Sequence, residues 1–130
     1  MSIVISAEET PVVQSLTMEQ GSPFALDLVW NSPAGTPVNL TGYSAELVMA
    51  TDLVNKTQLV LFTTGSGATP NTSLALGGTA GTISASATAQ ATSSMTFASG
   101  VYALLVKDPS AVITKLMQGS VTLAYGLAWV

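Results

Sequence analysis

Between Met18 and Met49 the chain reads MEQGSPFALDLVWNSPAGTPVNLTGYSAELVM, and Phe24, Leu26, Leu28 and Trp30 fall on every second position. A period of two puts all four on one side of an extended strand, whereas a helix would scatter them around its axis. The stretch Asn31 to Pro37 combines Pro with Gly and Asn, as a turn requires, and a second strand resumes near Ser44 with Ala45, Leu47 and Met49 on one side. Asp27 and Glu46 fall on the opposite sides of their strands, where a solvated residue is expected. The remaining chain reads as further strands added to this pair.

Residues 1 to 17 hold a short apolar alternation, Ile3 and Ile5, then Glu8, Glu9 and Pro11, and then Val12 and Val13. This segment is expected to be an N-terminal arm or an edge strand. Gln58 to Thr63 contains four consecutive apolar residues, Leu59 to Phe62, suited to a strand inside a sandwich. Gly65 to Gly81 is rich in Gly, with Leu74 and Leu76 as its apolar anchors, and reads as a long loop around a very short strand. Thr82 to Ala87 alternates cleanly, and Thr88 is placed to cap one short helix near residues 88–95. Val101 to Lys107 puts Tyr102, Leu104 and Val106 on one side, and Asp108 to Ala111 turns the chain back into a hairpin. The last strand runs to about Tyr125, with a bulge expected at Gly119. Leu127, Trp129 and Val130 leave an apolar tail over residues 126–130.

These elements predict an all-β fold over 18–125, a two-sheet antiparallel Ig-like sandwich with one short helix, with a partly open barrel as the alternative. The chain has no Cys, so any likeness to an immunoglobulin domain is architectural.

Only 8% of residues are charged, against roughly a quarter in ordinary soluble domains. Two readings account for the deficit: surfaces covered by neighbouring subunits, or a neutral surface rich in Ser and Thr. Three basic residues and a net charge of -4 argue against nucleic acid and anionic membranes as partners. The opening MSIVISAEET lacks the basic and apolar regions of a signal peptide, and no apolar run reaches bilayer length, so a protein made in the cytoplasm is expected. Without His or Cys there is no triad and no thiolate or imidazole metal site. Catalytic, cofactor-binding and metal residues are accordingly read as none, and the chain as no enzyme. Among acids, Asp27 with Glu46 is the pair best placed to share a sheet face. The expected contacts are instead apolar: Ile3, Ile5, Val12, Val13, Leu74, Leu76, Leu127, Trp129 and Val130.

The run QGSPFALDLVWNSPAGTPVNLTGYSAELVM resembles the opening of small bacteriophage virion proteins, in which an apolar strand ending in Trp leads into Gly-x-Pro-x-Asp/Asn-Leu-Thr-Gly-Tyr and another strand. GGTAGTISASATAQATSSM and GVYALLVKDPSAVITKLMQGSVTL resemble later segments of the same pattern, although Ser22-Pro23 stands where those proteins carry Asp-Thr. The family resembled is the N-terminal β-sandwich domain of baseplate upper proteins and similar tail or fibre-attachment proteins. That resemblance implies a structural joint of the virion without catalysis, and with the low charge and apolar ends the expected partners are other virion proteins and copies of this chain, met through the N-terminal arm, the Gly-rich loop and the C-terminal tail, with no cofactor. Capsid decoration and a carbohydrate-binding module on the particle surface are the alternative roles.

Overall fold

In a computed structural model of the chain, residues 2–6 and 11–124 are described. Ten strands are formed: β1 (Ser2–Ser6), β2 (Val12–Val13), β3 (Leu16–Glu19), β4 (Phe24–Asn31), β5 (Ser44–Ala50), β6 (Gln58–Thr63), β7 (Thr72–Leu76), β8 (Thr82–Ala87), β9 (Ser99–Lys107) and β10 (Ile113–Ala124). A single helical turn, α1 (Ala89–Ser93), follows β8. One sheet has the order β1-β4-β8-β7, and the other runs β2-β10-β9-β5-β6, with β3 also paired to β10.

The alternation of β4 decides which side of the first sheet faces inward. Phe24, Leu26, Leu28 and Trp30 are buried, and residues between them face out. On the second sheet Ala45, Leu47 and Met49 of β5, Val60 and Phe62 of β6, and Tyr102, Leu104 and Val106 of β9 meet them in one core. The order β1-β4-β8-β7 corresponds to A-B-E-D of an immunoglobulin domain and β10-β9-β5-β6 to G-F-C-C′, so the fold is an Ig-like sandwich.

The sheets are mixed rather than wholly antiparallel. β1 runs parallel to β4, with Ile5 opposite Trp30, and β2 and β3 run parallel to β10. The core strands keep the expected antiparallel ladders, β4 with β8, β5 with β9, and β9 with β10. The register shift in β10 lies between Lys115 and Met117, not at Gly119. There Leu116 and Met117 are both turned inward. Gly119 stays in the ladder opposite Tyr102, and a Cβ on it would stand 2.3 Å from the Gln14 carbonyl oxygen, so its missing side chain allows close approach of the N-terminal segment. The Tyr102 hydroxyl donates to that same Gln14 carbonyl and ties the segment to the core.

The Gly-rich stretch is more ordered than a loop. Thr72–Leu76 is a full edge strand paired with β8, and Gly78 to Ala80 adds a turn of 3-10 helix. The Thr88 hydroxyl accepts from the Ala91 amide at 3.2 Å, capping α1 as expected. Thr92 is fully buried, and its hydroxyl donates to the Ser22 carbonyl at 2.8 Å while accepting from the Gly21 amide at 3.1 Å. The turn before β4 is thereby fastened to α1. Among the described residues no helix is long and apolar enough to cross a membrane.

Candidate assembly surface

A sandwich has two outer faces, and the registers determine what each displays. On the four-stranded sheet the cross-strand rows are Ala25, Ser86 and Ser73; Asp27, Ser84 and Ala75; and Val29 with Thr82. Ser73 and Ser86 share a hydrogen bond at 2.8 Å. Small hydroxylated and alanine side chains make up much of this face, joined by Asp27, Val29 and Val4 of β1, which pairs with Val29 and is 65% exposed.

The six-stranded sheet displays different chemistry. Its rows are Leu61, Val48, Ala103 and Gln118; Thr63, Glu46, Leu105 and Lys115; and Ala50, Val101 and Ser120. Lys107 and Ile113 pair at the end of the sheet, where Ile113 is 63% exposed. Leu61, Val48, Val101, Ala103 and Leu105 are half-buried on this face. A shallow groove of about 290 Å³ crosses this face, lined in part by Ser44, Glu46, Thr63, Leu105, Lys107 and Ile113. It is open and small for a ligand site, with one carboxylate and one ammonium at its rim.

The contact residues expected from the sequence fare unevenly. Ile5 and Leu74 are core side chains, because pairing with Trp30 and Ala85 respectively turns them inward. Val12 and Leu76 pack partly against that core. Val13 is 72% exposed on β2. Ile3 pairs with Leu28 through the backbone of β1, while Leu127, Trp129 and Val130 lie outside the described residues, as do Glu8 and Glu9. Missed by the sequence reading were the outer residues of β9 and β6. VYALLV and LVLF are apolar at consecutive positions, which is the mark of a strand covered on both sides.

Asp27 and Glu46 do not share a face. They project from different sheets, away from the core on opposite sides of the sandwich. The described residues contain no group of three acids placed to hold a metal ion. Asp52 serves a turn: the Asn55 and Val54 amides donate to its carboxylate at 2.6 and 2.8 Å and hold its carboxyl below the usual range. Trp30 and Tyr102 are buried, and Tyr43 meets Trp30 edge-on at 6.4 Å between ring centroids. No aromatic side chain among the described residues is exposed, so they form no flat sugar-stacking platform.

No family model matches the chain, and no curated protein matches it. Among solved structures it is similar to the N-terminal domain of phage TP901-1 ORF48, at 10% identity and a TM-score of 0.47, covering 95% of this chain and 98% of that one. It is also similar to a chain in the crystal structure of the ZIG-8-RIG-5 IG1-IG1 heterodimer, at 8% identity and a TM-score of 0.46, with 88% and 83% covered.

Proposed function

We propose that this chain is a non-enzymatic structural protein of a bacteriophage particle, located in the tail, baseplate or fibre-attachment apparatus and acting through protein contacts. The observation that carries the contact role is the unequal pair of outer faces, one richer in Ser, Thr and Ala, the other with Leu61, Val48, Val101, Ala103 and Leu105 side by side. The phage setting draws its support from the sequence resemblance, whose motifs occupy fold-determining places. Leu40 is buried, Gly42 adopts a positive φ of 82°, and Tyr43 packs on Trp30.

The test is to label this chain in purified particles of its phage and image them. Label at the tail or baseplate is expected. Label on the capsid shell would move the protein to the decorating role, and particles free of it would overturn the proposal.

A further inference from the structure

The apolar outer face is also self-complementary, and we infer that it docks a second copy of this chain with β5 of each copy lying over β9 of the other. This deepens the assembly role proposed above and rests on it for the premise that the face meets protein. β5 and β9 are adjacent antiparallel strands at the middle of the sheet, with Val48 opposite Ala103 and Ala50 opposite Val101. A two-fold axis between two stacked sheets, running along the seam of these strands, exchanges them. Val48 then meets the second copy's Ala103, and Val101 meets the second copy's Ala50. In these two rows large side chains face small ones, and the symmetry repeats every contact, so sheets about 10 Å apart interdigitate there without a clash of bulk.

Charge follows the same symmetry. Glu46 pairs with Leu105 in its own sheet, and Lys107 and Lys115 lie on the same outer side of β9 and β10. Exchange of β5 and β9 brings Glu46 over the second copy's Leu105, with the second copy's Lys107 one row along and Lys115 one strand across. Glu46 is the acid of the β5–β9 seam on this face, Glu19 standing outward on β3 beyond β10, and two of the three basic residues of the chain, Lys107 and Lys115, lie on the same face. Each copy offers its carboxylate to the other's ammonium groups, so docking is specific in register as well as apolar.

The size of the face sets the strength. Four strands spaced about 4.8 Å apart and about 20 Å long span on the order of 400 Å² in projection on each copy, about half the area per partner of a stable interface and in the range of weak, transient ones. A dimer that forms at micromolar concentration and dissociates on dilution is expected.

Sedimentation of the full chain across that range tests it. The wild type should pass from 13.2 kDa to twice that mass as concentration rises. Ala103→Glu, which sets a carboxylate against the second copy's Val48, should weaken association by about a hundredfold or more. Glu46→Lys alone should weaken it about tenfold, and Glu46→Lys combined with Lys107→Glu should restore it to within about threefold. Glu46 and Lys107 are exposed, so these variants keep the fold even where Ala103→Glu does not. A wild-type chain monomeric throughout, or a dimer indifferent to both Ala103→Glu and Glu46→Lys, would overturn the inference. Monomeric chain found in particles leaves the proposed function standing without the dimer. A dimer with these dependences, absent from particles, keeps the inference and removes the function.

Discussion

The two outer faces of the sandwich are both displayed by strands that alternate inward and outward residues, yet they differ in what a charge-poor chain places on them. On the four-stranded sheet, Ser84, Ser86, Ser73 and Thr82 form a hydroxylated surface around Asp27, with Val4 and Val29 at its edge. On the six-stranded sheet, Leu61, Val48, Val101 and Leu105 occupy the equivalent outward positions. Low charge therefore takes a different form on each side: hydroxyls and small side chains on one, and adjoining apolar side chains on the face proposed for contact on the other. A residue's neighbours across the ladder, more than its own hydropathy, decide which form applies.

The sharpest way to break this comparison is to set inside against outside on one strand. Leu104 and Leu105 are adjacent on β9, the first 1% exposed in the core and the second half-buried on the outer face. Leu104→Ala should cost about 2–5 kcal/mol in urea melts of dilute protein, because it leaves a cavity among packed neighbours. Leu105→Ala should cost under about 1 kcal/mol in the same melts and show its effect in association instead. Equal losses would mean that the outer face is core to the monomer.

A smaller effect is expected where the N-terminal segment joins the six-stranded sheet. Tyr102→Phe removes the donor to the Gln14 carbonyl and should cost about 1–3 kcal/mol. Burial pushes the Tyr102 hydroxyl up to about 12, above its ordinary value of 10.0. The unfolded chain thus gives up this proton at lower pH than the folded one. The resulting stability is complete below pH 10.0 and declines as pH rises towards about 12, and in Tyr102→Phe this part of the alkaline decline should be missing. Thermal melts of both proteins across that range would read it.

Least of all should happen on the hydroxylated face. Ala75→Glu adds a charge to an exposed position of the edge strand β7, opposite Ser84, and should change folding stability by no more than about 0.5 kcal/mol, with sedimentation unaltered. Loss of association in that variant would transfer the contact surface to the wrong sheet.

Much of the sandwich was legible in the chain because local signals carried it. Phe24 to Trp30 and Thr82 to Ala87 alternate without interruption, and Thr88 announces the helical turn that it caps. What escaped notice depended on distant partners. Nothing within Ser2–Ser6 or Leu16–Glu19 specifies a parallel neighbour, since that choice is made against β4 and β10. Leu74 read as a loop anchor because its strand acquires meaning only when paired with Ala85. Gly119 suggests a bulge from the sequence alone, whereas in the fold it lets the Gln14 backbone approach. The apolar outer face was present in the consecutive hydrophobic residues of β6 and β9, but assigning Tyr102, Leu104 and Val106 to the core left Val101, Ala103 and Leu105 without a role.

The central claim, that the exterior of the six-stranded sheet is where this protein meets protein, is tested most directly by following backbone amide resonances as the wild-type chain is concentrated. Shifts gathered on Val48, Ala103 and Leu105, with Ala25, Ser84 and Ser86 unmoved, are the predicted result. Shifts confined to the hydroxylated sheet or the chain ends, with the β5 and β9 amides constant, would contradict it.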